Sequence, residues 1–372
     1  MVFGSGAVER LGELALQMPA RRALIVTDLG IVRAGLLNRA LRSLASAGVS
    51  RIVYDEVREN PTTADVERCA EFAKEKRFDL IIGFGGGSSM DTAKGANFLV
   101  TNGGRMQDYR GFGKADKPML PMIAVPTTTG TGSEMQSYAV ISDEATHVKM
   151  ACGDPKAAPR IAVLDPQLTV TQPDLVTACT GMDAISHAVE TAVTSNRNEI
   201  SLLFSREAFR LTVNSYERVL ENPRNLSARA GMLLGAAYSG LAIENSMLGA
   251  AHAAANPLTA RYGTVHGAAV GVMLPAVVHF NARDAQIAML YRDHAVAAGL
   301  VESGAAPSEA VDVLTDRLLE LGEKAVRRLA PTRPDDATLS MMALEASEQM
   351  TAKFNPRPLS PPDFEELYRA SL

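Results

Sequence analysis

The 372-residue chain has only six histidines, and three of them lie where they could hold a metal together with one aspartate. In Gly181-Met182-Asp183-Ala184-Ile185-Ser186-His187-Ala188-Val189-Glu190, Asp183 and His187 stand at i and i+4. On a helix that spacing puts both side chains on one face. His252 and His266 follow, fourteen positions apart, on either side of Asn256-Pro257-Leu258. That triplet reads as a helix break, so each ring can come from its own helical segment. One carboxylate and three imidazoles form a mixed oxygen and nitrogen donor set that suits Fe2+ or Zn2+. Blander readings exist for each part. An i, i+4 Asp–His pair is often a surface ion pair, and a histidine in an Ala-rich helix is often a satisfied core residue. The clustering of all four in one half of the chain favours a metal. His147, His279 and His294 read as structural or exposed.

A second set of residues suits phosphate. Gly85-Gly86-Gly87-Ser88-Ser89-Met90-Asp91 follows the apolar run Leu80–Phe84 and leads into a helix around 92–99. A strand, a glycine turn and a helix start present backbone N–H groups to an anion, and Gly86 and Gly87 let the backbone come close. Ser88 and Asp91 are also spaced as an N-cap and its third helical position, so the same pattern could be capping alone. The usual G-x-G-x-x-G is missing after the first strand, which ends Val26-Thr27-Asp28-Leu29-Gly30. Two readings of Asp28 stand side by side: a helix N-cap, or an acceptor for ribose hydroxyls. A carboxylate there would repel a 2′-phosphate and favour NAD over NADP. A further loop, Pro126 to Glu134, brings the hydroxyls of Thr127, Thr128 and Thr131 to another strand end. Ligands of open α/β sheets bind at the carboxyl ends of strands.

The elements that must position these groups change character along the chain. Strands are predicted at 23–27, 51–54, 80–84, 123–125 and 161–164, with helices near 36–47 and 63–76 between them. Such alternation implies a doubly wound, mostly parallel, Rossmann-like sheet. After Pro173 the pattern is helical almost throughout, with segments at 199–220, 226–260, 264–281 and 306–329. The expected organisation is an α/β dinucleotide-binding domain over 1–173 and an all-α metal-binding domain over 174–372. The stretch 331–340 reads as a loop, and no internal repeat is evident.

Composition sets the outer bounds. Apolar residues make up 47%, charged residues 21%, and the net charge is −5. Neither the acidic balance nor the absence of Trp suits a nucleic-acid partner. Cys69, Cys152 and Cys179 have no paired spacing, which argues for a reducing compartment and against a cysteine zinc site. No signal peptide is evident at the start. The longest apolar stretch, Gly267 to Val278, contains Pro275 and is shorter than the roughly 20 residues of a membrane span. The expectation is a cytoplasmic protein with no membrane partner.

With these residues in place, the chain resembles the iron-containing, or group III, alcohol dehydrogenase family over nearly its whole length. The matching stretches are Phe3-Gly4-Ser5-Gly6-Ala7, Ala23 to Asp28, Asn60-Pro61-Thr62, Gly85 to Asp91, Pro126 to Glu134, Gly181 to Glu190, His252 to Gly267 and Asn355-Pro356-Arg357. The resemblance implies an N-terminal dinucleotide domain, an all-helical C-terminal domain, and an active site between them. It places the metal ligands, and with them the catalytic centre, at Asp183, His187, His252 and His266. It implies cofactor contacts at Asp28, Asn60, Gly87, Ser88, Asp91, Thr128, Thr131 and Lys149, and homodimers or larger assemblies.

The implied activity is hydride transfer between a small alcohol, or the corresponding aldehyde or ketone, and NAD(P), with the metal polarising the substrate oxygen. Phe112, Met135, Met247 and Ala251 are expected to line the pocket. Two departures from the family stand out. Asn256 occupies a position where many members carry a second histidine, and Asn cannot act as a general acid or base. The chain begins at Met1-Val2-Phe3, without the short leading strand common in the family. The competing readings are a metal- and NAD-dependent lyase like dehydroquinate synthase, and a nucleotide-binding protein without catalysis. The lyase needs a basic cluster beside the ligands, and none is evident.

Overall fold

The computed structural model describes residues 1–18, 20–146, 148–326 and 334–372. His147 and residues 331–333 of the predicted loop lie outside that range. By internal contacts the chain divides into two units. The first is Met1–Thr128 with Gly132–Gln172, and the second is Pro173–Leu372 with the short segment Thr129–Thr131.

In chain order the first unit holds β1 (Val2–Phe3), α1 (Leu11–Gln17), β2 (Arg22–Val26), α2 (Leu29–Arg33), α3 (Leu37–Ser46), β3 (Ser50–Tyr54), α4 (Thr63–Lys74), β4 (Leu80–Gly85), α5 (Gly87–Asn102), β5 (Gly111–Phe112), β6 (Met122–Pro126), β7 (Tyr138–Ser142), β8 (Lys149–Gly153) and β9 (Ile161–Leu164). Six strands form a sheet in the order β1-β9-β6-β4-β2-β3, every neighbour pair parallel. Strands β4 and β6 are buried along their whole length, because helices cover both faces of the sheet. Alternate residues serve the two faces. Ile25, Ile82 and Val125 pack with Leu14 of α1 and Leu44 of α3, whereas Leu24, Ile81 and Ala124 pack with Cys69 of α4 and Ala93 of α5. The chain leaves neighbouring strands β2 and β4 towards opposite faces, so the ends of these two strands form the switch point where such folds bind ligands.

Two local expectations in this unit are corrected, and a further sheet is found. Val2–Phe3 do form a leading strand, paired in parallel with Val163–Leu164 of β9. A second sheet, β5-β8-β7, was not predicted, although Lys149 sits on it. Helix α5 starts at Gly87 with Gly86 as its N-cap, so Ser88 and Asp91 are not its cap and third residue.

The second unit holds α6 (Asp174–Thr191), α7 (Glu199–Glu221), α8 (Leu226–Asn245), α9 (Ala250–Tyr262), α10 (His266–Asn281), α11 (Ala285–Ala297), α12 (Pro307–Val326), α13 (Asp336–Ser347) and α14 (Pro361–Ser371) around one apolar core. Pro257 lies inside α9 instead of ending it. The break between α9 and α10 falls at Gly263, whose φ of +62° is a left-handed cap that glycine adopts without a Cβ penalty. Asp335 caps α13 by accepting from Thr338 N, so helix, not loop, runs from 336. Helix α8 is long and apolar enough to cross a membrane by length and composition, and 61% of that stretch is buried inside the protein.

Candidate functional site

Helix α6 brings Asp183, His187 and Glu190 to one face at i, i+4 and i+7. His252 is the third residue of α9 and His266 the first of α10. Close approach of α10 to α6 depends on Gly267, where a Cβ would lie 1.9 Å from the Cys179 carbonyl oxygen and 3.1 Å from Asp183 Cβ. The four side chains meet. Asp183 Oδ1 lies 3.4 Å from His187 Nε2, 3.4 Å from His252 Nε2 and 4.0 Å from His266 Nε2. Rings of His187 and His252 stack with centroids 4.8 Å apart, and His252 and His266 follow at 5.4 Å.

The cluster passes a test of fit for an ion. Two donors about 2.1 Å from one cation at tetrahedral angles stand about 3.4 Å apart, which matches the two shorter separations. Asp183 Oδ1 and His252 Nε2 are buried and have no hydrogen-bond partner among the described residues. Buried polar atoms are rarely left so. Asp183, His187 and His252 have ligand atoms all within 4.8 Å of one another. His266 lies outside that group of three, with Nε2 4.0 Å from Asp183 Oδ1, and is more open, its side chain 28% exposed against 6% for His187.

At the switch point, Gly85 has φ +150°, and a Cβ there would strike Ser89 Oγ at 2.4 Å. Gly86 caps α5 with no side-chain hydrogen bond. A Cβ on it would sit 3.3 Å from Thr128 Cγ2. Thr127 N donates to Gly85 O at 2.9 Å, which ties the loops after β4 and β6 together. Asp28 caps α2, its Oδ1 accepting from Ile31 N at 3.0 Å, while Oδ2 faces Gly85. Asn60, at φ +52°, donates its N–H to Ser88 Oγ at 3.2 Å. Thus Asp28, Asn60, Gly86, Gly87, Ser88, Thr127 and Thr128 gather at the ends of β2, β4 and β6 and the loops beside them.

Asp91 sits beneath them and accepts from Ser133 Oγ at 2.8 Å. Burial raises its pKa despite the opposing charges of Lys94 and Lys149. Thr131 belongs to the second unit. Of the residues expected to line a pocket, Ala251 is fully buried, and Phe112 leans on Tyr138 with ring centroids 5.6 Å apart.

Comparison with known proteins agrees with this architecture. The model of the iron-containing alcohol dehydrogenase family matches residues 1–166, and that of the family's C-terminal region matches residues 177–372. The NAD-dependent methanol dehydrogenase of Bacillus methanolicus is 32% identical over 376 aligned positions, covering 100% of this chain and 97% of that protein. Alcohol dehydrogenase 4 of Schizosaccharomyces pombe is 36% identical over 320 positions, 86% of this chain and 75% of its own length. The chain belongs to the iron-containing alcohol dehydrogenase family. Among solved structures, a 1,3-propanediol oxidoreductase superimposes with a TM-score of 0.94 at 28% identity, covering 100% of this chain and 97% of its own. An alcohol dehydrogenase from Oenococcus oeni gives 0.93 at 30% identity, with the same two coverages. As a member of the family the protein is an oxidoreductase acting on CH–OH groups of small alcohols, with a metal and a nicotinamide dinucleotide as cofactors.

Electrostatics in this dehydrogenase follow from the crowding. Burial alone would raise the Asp183 carboxyl, yet the three histidines around it outweigh that and hold it well below the usual range. His187 is lowered by burial and by neighbouring His252. His252 goes the other way, up to about 9, because Glu190 and Asp183 outweigh burial. Glu190 and Lys94 are functional-region residues that sequence reasoning left without a role. The i+7 spacing of Glu190 from Asp183 was the signal available for the first. Lys94 is fully buried and donates to Ser133 O, Ser133 Oγ and Tyr138 O at 2.7, 2.9 and 2.8 Å, pinning the loop after β6 to α5. Nearby Glu134 is pushed up to about 7 by burial.

Proposed function

We propose that Asp183, His187, His252 and His266 hold one divalent cation, taken as Fe2+, with Zn2+ compatible with the same donors. The observation that carries this reading is the approach of three imidazole Nε2 atoms to a single carboxylate oxygen, at 3.4, 3.4 and 4.0 Å. Such an ion supplies Lewis acidity at an alcohol or carbonyl oxygen, easing hydride transfer between the adjoining carbon and nicotinamide.

The residues divide the remaining work. Asp183 brings one negative charge against a doubly charged ion, so the centre stays net positive towards a substrate oxygen. His266 stands on the exposed side, where substrate approaches. Asn256 is bound through Nδ2 to Gln349 Oε1 at 3.0 Å and takes no proton. A relay for the hydroxyl proton would therefore use water, a ribose hydroxyl of the cofactor or another group.

In this reading residues 1–173 bind the dinucleotide and 174–372 the metal. Asp28, Asn60, Gly86, Gly87, Ser88, Thr127, Thr128 and Thr131 face the cofactor, with Asp91 and Lys149 supporting them. Asp28 makes NAD the preferred form. The substrate is a small primary alcohol or its aldehyde, in keeping with the methanol and propanediol named for the relatives. Three buried free cysteines suit the cytoplasm, and family resemblance suggests a homodimer. His266→Ala tests the central point. The variant should lose bound metal and at least a thousandfold in kcat/KM while keeping its affinity for NAD. Full turnover in that variant would remove the mechanism.

A further inference from the structure

Helix α9 carries His252 in its first turn but has no local cap. Its N-cap is Gly249, without a side chain, and the donors it would leave open are met from distant parts of the chain. Ala251 N donates to Glu190 Oε1 at 2.7 Å, and Ala250 N donates to Asn355 Oδ1 at 3.3 Å. The other oxygen of the same glutamate, Oε2, lies 2.5 Å from His252 Nδ1. Glu190 is 2% exposed and Asn355 4%. Both reach the helix end because residue 249 is glycine: a Cβ there would stand 3.0 Å from Glu190 Oε1 and 3.1 Å from Asn355 Oδ1.

An ionised carboxylate only accepts hydrogen bonds, so a ring nitrogen bonded to it must carry the proton. That places a proton on His252 Nδ1 and leaves Nε2, 3.4 Å from Asp183 Oδ1, as the nitrogen that would meet an ion. The second oxygen of Glu190, bonded to the Ala251 peptide, sets the height and rotation of the turn that carries the ring. Asn355 extends the arrangement. It exchanges hydrogen bonds with Asn281 at 3.1 and 2.7 Å and donates to Arg357 O at 2.8 Å. Arg357 in turn donates to Phe280 O and lies over the Phe280 ring at 4.2 Å. The Asn355-Pro356-Arg357 stretch therefore straps the start of α9 to the end of α10.

We propose that Glu190 and Asn355 are positioning residues for His252: Glu190 sets its tautomer and orientation, and Asn355 holds the helix turn that bears it. The proposal rests on the ligand set put forward above. Partners of this kind commonly change metal affinity by about 10–100-fold when removed.

The test uses the full-length protein, stripped of metal and titrated with zinc alone. Glu190→Gln should weaken zinc binding about 10–100-fold, and Asn355→Ala about 3–10-fold. In the zinc-loaded protein with 15N-labelled histidine, one far-downfield Nδ1–H proton should be present and should vanish in Glu190→Gln. In a His252→Ala background, adding Glu190→Gln should cost no further affinity. Unchanged zinc affinity in Glu190→Gln, or the same loss with and without His252, would overturn the positioning role. Should His252→Ala itself bind zinc as the wild type does, the ligand set fails instead. Glu190→Asp, which keeps the charge but shortens the reach, serves if Glu190→Gln does not fold; wild-type affinity together with an unmoved Nδ1–H signal in it also counts against the role.

Discussion

Around Asp183 the working groups are side chains delivered by three helices, with Asp183, His187 and His252 each under a tenth exposed. At the ends of β2, β4 and β6 they are mostly backbone groups, small residues and hydroxyls, with the Asp28 carboxylate half committed to capping α2. The first region depends on residue type and tolerates almost no chemical substitution. The second depends on the absence of side chains and on where the chain turns. Changes in the two regions should therefore fail differently, one through the ion and the other through the dinucleotide.

The largest contrast comes from adding bulk where the second region needs none. Gly86→Val places atoms against Thr128, whose Cγ2 is already 3.3 Å from the position of a Cβ, and walls off the uncapped start of α5. The Kd for NAD should rise about 10–100-fold, converting to about 1.4–2.7 kcal/mol, with metal content unchanged. Loss of metal in that variant would show the two regions to be less separate than described. A smaller effect is expected from Asp28→Gly. It removes the carboxylate that disfavours a 2′-phosphate, so the ratio of kcat/KM for NADP to that for NAD should rise about tenfold, the change worth about 1.4 kcal/mol. An unmoved ratio would leave Asp28 as a helix cap and nothing more.

What could be read in advance differs between the regions for the same physical reason. Histidines are rare in this chain, so their spacing carried information, and the structure brings ligand atoms of Asp183, His187 and His252 within 4.8 Å of one another, with His266 Nε2 4.0 Å from Asp183 Oδ1. The i+7 spacing of Glu190 was too weak a signal, because a glutamate at i+7 on a helix is common and its partners, His252 and Ala251, are about sixty positions away. The end of α9 was misplaced at Pro257. Proline usually breaks a helix, yet here the turn before it is built of Ala253, Ala254 and Ala255, all buried, and the helix ends at the left-handed cap Gly263. The main sheet was legible because its central strands are continuous apolar runs. The β5-β8-β7 sheet was not, because β5 spans only two residues and Ala139, Ile141 and Cys152 bury themselves in a small separate core.

The central claim is a shared ion at four side chains, and diffraction data collected at the iron and zinc absorption edges address it most directly. Crystals of the metal-loaded protein should show one anomalous peak per chain, about 2.0–2.2 Å from an Asp183 carboxylate oxygen and from Nε2 of His187, His252 and His266. A peak elsewhere, or a metal at this place bound without Asp183 or without any one of those three rings, would contradict the account.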